Sequence, residues 1–429
     1  MSQTFDISKI TTVKLDELRY VTDPLADNTV KNIIESGFEK QVNEVFKTLV
    51  SESSITKSSF NKFDQQLQDI LNDYIDESAK LPDWADQELI EKGEEVFSLY
   101  GPEIFMLLNV SSLPMCYTCG KGALVLYDTG RLLTHNGNVH PLARRLMETA
   151  QMIVNVMSEG GLKQSGQGII TIQKIRLIHA SIRYFLKTKG YNGAPWDVQE
   201  NGEPINQEDL AGTLMSFAPV ILNGLEHLGI SLSDEQKNAY MHSWKVVGYL
   251  MGIKEELLPS TFDEGFSLAS RILQHQAIPS EAGKALTQAC IDFINHTIPG
   301  NAFHELPSYL MATFLDDFSK ASNKDLAEYI GVSKSDEKQG RIAMAISKFI
   351  SKGIGQLEHH LFIQKVSKSF NKLLMQGIIH HFNGGKEVNF YIPPSLRKNW
   401  NLENEWEDSR SLLTIGENRI ALQRKKQNI

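Results

Sequence analysis

Apolar positions along this chain recur mostly at intervals of three and four, the period of an amphipathic helix. Residues 27–50 and 60–75 carry polar amphipathic patterns, and Glu88–Tyr100 and Ile104–Leu113 follow. Pro141 predicts the opening of a helix that runs to about Met157. Gly160 to Gly168 is glycine-rich and predicts a flexible loop. Beyond it, Ile172, Ile175, His179, Ile182 and Leu186 form one stripe of the next helix. Asn206 predicts the N-cap of a helix ending near Gly229, and Ser233 with Gln236 predicts a capping box for one ending near Gly252. Further helical patterns cover 261–277, 280–296, 305–320 and 337–383, and Val388–Ile392 is a short extended candidate before Pro393. The expected fold is all-α, one large helical domain with terminal extensions: 1–90, a core of 91–300, and 301–429.

Composition narrows the partners. A chain of 429 residues, 41% hydrophobic and 22% charged, can bury a large core. Its net charge of -9 argues against nucleic acid, which needs clustered Lys and Arg. The basic cluster Arg419, Arg424, Lys425 and Lys426 reads as a solvated tail. The longest apolar run, Ile104 to Met115, is broken by Asn109, Ser111, Ser112 and Pro114, so no transmembrane span is expected. The first residues lack a basic n-region and an apolar h-region, and three cysteines make no disulfide framework. A reducing, cytoplasmic setting is expected. The oligomeric state is left open.

The candidate chemistry centres on His179. Arg176 and Arg183 sit one turn below and one turn above it, and are read as straddling the imidazole, some 60° to one side and 40° to the other. No acidic residue lies between Thr171 and Thr188 to pair with them. Unpaired buried charge is costly, so the arginines need anionic partners. An imidazole in an apolar groove with two guanidiniums beside it suits a haem, whose iron takes an axial base and whose propionates are anionic. The alternative is a core histidine with both arginines paired to carboxylates from elsewhere in the fold.

On the preceding helix Arg145 and Thr149 are four apart, on one face with Leu142, Met152 and Val156. A threonine hydroxyl can donate or accept near a bound oxygen species, or bond back to the carbonyl four residues earlier. Cys116-Tyr-Thr-Cys119 is a lone CxxC and cannot complete a zinc site, even with Cys290. Gln356-Leu-Glu-His-His360 resembles the last histidine box of membrane di-iron desaturases, but the companion boxes and membrane spans are missing.

The pattern Arg145-x-x-x-Thr149, then Arg176-x-x-His179-x-x-x-Arg183, resembles the signature of the rubber oxygenase (latex clearing protein) and MpaB-type oxygenase family. Cys119-Gly-Lys-Gly-Ala-Leu-Val-Leu, Glu148-Thr-Ala-Gln, Pro204-Ile-Asn-Gln-Glu-Asp-Leu and Tyr240-Met-His-Ser-Trp-Lys-Val-Val-Gly248 agree with it, and the likeness covers roughly 95–280. The resemblance implies a globin-like helical core around haem b. His179 would be the iron ligand, with Arg176 and Arg183 beside the haem and Ile175, Ile182 and Met152 lining it. Arg145 and Thr149 would lie on the distal, catalytic side, and Glu148 beside Thr149 either serves there as acid or base or faces solvent. It also implies O2-dependent cleavage of carbon–carbon double bonds in an isoprenoid or other unsaturated lipid. Two departures matter. Glu148 stands where rubber oxygenases carry a lysine able to close the iron's sixth position, so that closure is ruled out. Neither the export signal of the rubber enzymes nor a membrane anchor is apparent, which points away from extracellular rubber. Rival readings are a haem protein without oxygenase turnover, such as a gas or redox sensor or a peroxide-handling enzyme, and a haem-free helical interaction protein.

Overall fold

The computed structural model describes residues 5–37, 41, 44, 45, 48, 55–128, 140–188, 190, 194–297 and 306–332. Among these there is no strand; one isolated bridge pairs Cys119 with Ala277. The helices that matter here are α1 (Thr12–Leu18), α2 (Pro24–Glu35), α3 (Gln65–Ser78), α4 (Gln87–Leu107), α5 (Leu113–Thr118), α6 (Gly120–Asp128), α7 (His140–Met157) and α8 (Gln167–Thr188). They are followed by α9 (Gln207–Phe217), α10 (Pro219–His227), α11 (Asp234–Leu250), α12 (Phe262–Gln276), α13 (Glu281–Thr297), α14 (Leu306–Phe314) and α15 (Asp316–Ser322). The all-α expectation holds.

Local signals set many boundaries. Asn206 accepts from the Asp209 N–H as the N-cap of α9, and Ser233 and Gln236 close a capping box on α11. Two expected helices are each split in two. Pro219 ends α9 at Ala218 and opens α10, because a proline has no N–H to continue the ladder. The pattern at 305–320 likewise divides into α14 and α15. In the other direction, the two patterns over 88–113 merge into α4, kinked at Tyr100 ahead of Pro102, and run on through a π-turn at Leu108–Ser112. Helices α5 and α6 lie where no helix was expected. The expected elements at 337–383 and 388–392 fall outside the described residues.

The run Gln87–Thr118 is long and apolar enough to cross a membrane. Its side chains are instead core: Ile90, Phe97, Ile104, Met106, Leu107 and Val110 are fully buried in the main apolar cluster. The polar residues that interrupt it are satisfied inside the protein. Asn109 donates to the Phe105 carbonyl and Ser112 to that of Ser216. Helix α4 packs along α11, where Gly93 lets the two backbones close over Ser243.

The main cluster runs from Phe5 through Leu15 and Leu18 to Val332, so the expected boundary at residue 90 does not coincide with a break in the core. A second cluster joins α2 and α3 to α8 through Ala26, Val30, Ile33, Leu67, Leu71, Tyr74, Leu177 and Ala180. The stretch at Pro204–Leu210 ties the N-terminal segment down. Buried Gln207 donates from its backbone to the Val21 carbonyl and from its side chain to Thr22 and Gly252. Its amide oxygen accepts from Lys254.

Candidate functional site

Helices α7 and α8 form an antiparallel hairpin. The connection is compact rather than flexible: Gly168 donates to the Gly161 carbonyl at 2.9 Å, and Gly160 turns with φ at 72°. A Cβ on Gly168 would stand 2.6 Å from the Gly161 oxygen and 2.8 Å from Val156 Cα, so the glycine is needed for close helix approach. The turn also rests on α4, where Glu94 accepts from the Gly160 N–H at 3.1 Å.

Glu94 is only 5% exposed, and its other carboxyl oxygen has no hydrogen-bond partner among the described residues. Burial pushes its pKa up to about 7, against the opposing pull of the Gly160 N–H and Lys163. A carboxyl raised in this way binds more protons folded than unfolded. Stability therefore falls as pH rises from the unfolded value of 4.5 to about 7, and is level above that. The loss amounts to about 3 kcal/mol at most. Urea unfolding at pH 5 and pH 8 should show this decline in the native protein and a smaller one in Glu94→Gln. Equal slopes in the two proteins would refute it.

The hairpin register is set by one side-chain bond, Asn155 Nδ2 to Thr171 Oγ1 at 2.8 Å. Gln151 supports Asn155 from one turn away. Stepping along both helices at about 1.5 Å per residue brings Glu148 level with Ile178 and one residue from His179. Met152 and Arg145 come level with Lys174 and Ser181, each one residue from Ile175 and Ile182. The side chain of Arg145 lies outside the described residues. Glu148, Thr149 and Met152 are half-buried, and Met152 packs at the edge of the main core.

On α8 the expected stripe divides. Ile172 and Leu186 are buried at its ends, while Ile175, His179 and Ile182 between them are half-buried, as is Ile178. Ile182 packs with Val125, Leu186 and Trp196. The hairpin thus brings His179, Ile175 and Ile182 onto one face beside the helix that carries Glu148, Thr149 and Met152.

The arginines are the main correction. Steps of about 100° per residue put both of them on the same side of His179, Arg176 by about 60° and Arg183 by about 40°. They do not straddle it. That side faces α2. Arg176 holds Asp23 with two bonds, Nε to Oδ2 at 2.5 Å and Nη2 to Oδ1 at 2.7 Å, and its Nη1 donates to the Leu250 carbonyl at 3.1 Å. Arg183 donates from Nε to Asp27 Oδ1 at 2.7 Å and from Nη1 to the Ile205 carbonyl at 3.2 Å. Both arginines are buried. Local sequence could not reveal Asp23 and Asp27, which lie some 150 positions earlier in the chain; their one trace is an i, i+4 acidic pair at the start of an amphipathic helix.

Fit to a haem follows from these contacts. A half-buried imidazole between isoleucines suits an axial ligand with an apolar wall. Arg176 fits poorly as a propionate anchor, because Asp23 already neutralises it and three of its five N–H groups donate within the chain. Arg183 keeps a buried Nη2, with its two N–H groups, without a hydrogen-bond partner among the described residues. Among the described residues no group of three or more His, Cys, Asp or Glu could hold a bare metal ion. Cys116, Cys119 and Cys290 are free thiols; burial pushes all three up, Cys290 to about 12, away from thiolate chemistry.

The model of the family described as "ER-bound oxygenase mpaB/B'/Rubber oxygenase, catalytic domain" matches residues 119–350, more than half of the chain. The rubber oxygenase of Streptomyces sp. (strain K30) is 21% identical over 329 residues, 76% of this chain and 74% of that protein. The latex clearing protein LCP in its closed state superposes with a TM-score of 0.64 at 18% identity, covering 87% of this chain and 94% of that one. At that identity the likeness establishes the fold. With an all-α architecture shared over most of its length and the oxygenase family model spanning both helices of the hairpin, the chain belongs to the ER-bound oxygenase mpaB/B'/rubber oxygenase family.

Proposed function

We propose that this protein is a haem b-dependent oxygenase that cleaves or oxidises carbon–carbon double bonds of an isoprenoid or other unsaturated lipid with O2. The observation that carries the reading is the face of His179, Ile175 and Ile182 on α8, set beside Glu148, Thr149 and Met152 on α7, within an oxygenase-family domain. His179 would hold the iron, and Ile175, Ile182 and Met152 would wall the ring. When bound, haem supplies the O2 activation that no side chain here can provide.

The chain's own residues would do the rest. The isoleucines and Met152 bind an apolar chain and exclude water from the reacting bond. The Thr149 hydroxyl can donate a hydrogen bond beside the distal face, and Glu148, one residue earlier, can hold a proton there. Arg145, one turn from Thr149, adds a positive charge to the same end of α7. A cytoplasmic location is part of the proposal.

The test is O2-dependent loss of a soluble isoprenoid alkene with appearance of carbonyl products, in haem-loaded protein. Failure across both isoprenoids and unsaturated fatty acids would reject the substrate class. One observation favours a second reading. The pairing of Arg176 with Asp23 and of Arg183 with Asp27 is what a haem-free helical protein would need to satisfy its arginines. A colourless, folded protein after haem-supplied expression would select that reading.

A further inference from the structure

We infer that Asp23 and Asp27 are positioning residues for His179, acting through Arg176 and Arg183. This rests on the proposed role of His179. Asp23 caps α2 and Asp27 lies one turn into it, and the two arginines lie on one side of α8, below and above His179. Two ion pairs at different heights fix both the rise and the rotation of α8 against α2, as one pair could not. His179 lies between them along the helix and only about 40–60° away around it. Its outward direction is therefore set by the clasp.

The clasp is built into the fold. The side chains of Asp23 and Arg183 are each 2% exposed, and that of Arg176 is 10% exposed. Asp23 is also the N-cap of α2, accepting from Ala26, and both aspartates sit at the positive end of that helix. Arg176 reaches on to Leu250, the last residue of α11, and so holds three helices at one point. Gly252, with φ at 83°, closes over the pair. A Cβ there would stand 2.8 Å from Arg176 Nη2 and 2.9 Å from Asp23 Cγ. Hydrophobic packing between α2 and α8 through Ala26, Val30, Leu177 and Ala180 would survive the loss of the charges. The ion pairs add direction to a contact that already has adhesion.

The experiment compares native protein with Asp23→Asn and Asp27→Asn, without added haem, by NMR of ring-labelled histidine. The His179 signal is assigned by its absence in His179→Gln. The expected result is a shift of the His179 ring resonances. Amide exchange at 175–183 should also rise at least tenfold, with helical content unchanged. Asp27→Glu, which keeps the charge, should restore most of the native signal. If Asp23→Asn does not fold, Asp27→Asn decides, because Asp27 is 26% exposed and holds Arg183 by one bond. Unchanged His179 ring resonances and unchanged exchange in a folded variant would overturn the inference and leave the ion pairs as fold-stabilising contacts only. The readout needs no haem, so a native protein that never takes up haem would defeat the proposed function while leaving this result interpretable.

Discussion

Replacing Arg176 by methionine is expected to destabilise the protein by about 3–5 kcal/mol. The methionine fills similar space, but Asp23 then stays buried at 2% exposure with no counter-ion, and the Leu250 carbonyl loses its donor. Most of the cost comes from the stranded carboxylate rather than from a missing attraction. The double variant Asp23→Asn with Arg176→Met should therefore recover more than half of the loss, since it removes the charge and keeps the cap on α2. Urea unfolding of the two single variants and the double variant measures the coupling. A single variant within about 1 kcal/mol of the native protein, or a double variant no better than the single, would show that the pair is not buried in the way its geometry implies.

Changing His179 to alanine has the second large effect, and it is functional rather than structural. His179 is half-buried on the outward side of α8, so the haem-free fold should lose only about 1 kcal/mol or less. The haem-loaded native protein should show a Soret band that moves on reduction and again with carbon monoxide. In His179→Ala that band should be lost or displaced, and alkene consumption should fall at least ~100-fold. The contrast with Arg176→Met is the informative part. One variant is expected to be folded and inactive, and the other unstable although it keeps the imidazole. A normal Soret band in His179→Ala would remove His179 from the site and the proposed mechanism with it.

The buried ion pairs also explain how a chain of net charge -9 handles its interior arginines. Arg19, Arg176 and Arg183 all sit under the N-terminal segment or within it, each matched to carboxylates. Arg19 lies 3.5 Å from Glu208 and 3.4 Å from Asp209. His275 bridges fully buried Glu208, through Nδ1 at 2.7 Å, and exposed Asp16, through Nε2 at 3.0 Å. The Glu208 carboxyl anchors the imidazolium form, and the His275 pKa is raised despite burial. Residues 16–27 are thus joined to α8, α9 and α12 by charge as well as by packing.

Sequence alone determined the helical class, the presence of helices α7 and α8, and the caps at Asn206 and Ser233. Each is a local property, set by a period of 3.6 residues or by a side chain bonding within three positions of itself. It also singled out Arg176 and Arg183 as charges in need of anions. Only the tertiary structure decided which anions. Asp23 and Asp27 are 153 and 156 positions from their partners, and such a separation leaves no periodic trace. The same holds for the glycines at 161 and 168, whose sequence suggests mobility while their contacts show close approach. It holds for the run from Gln87 to Thr118, whose interrupting polar residues argue against a membrane span but do not say which helices cover it. Apolar surface records only that it must leave water; the neighbours that cover it, and the carboxylates that reach a buried guanidinium, are settled by how the helices pack.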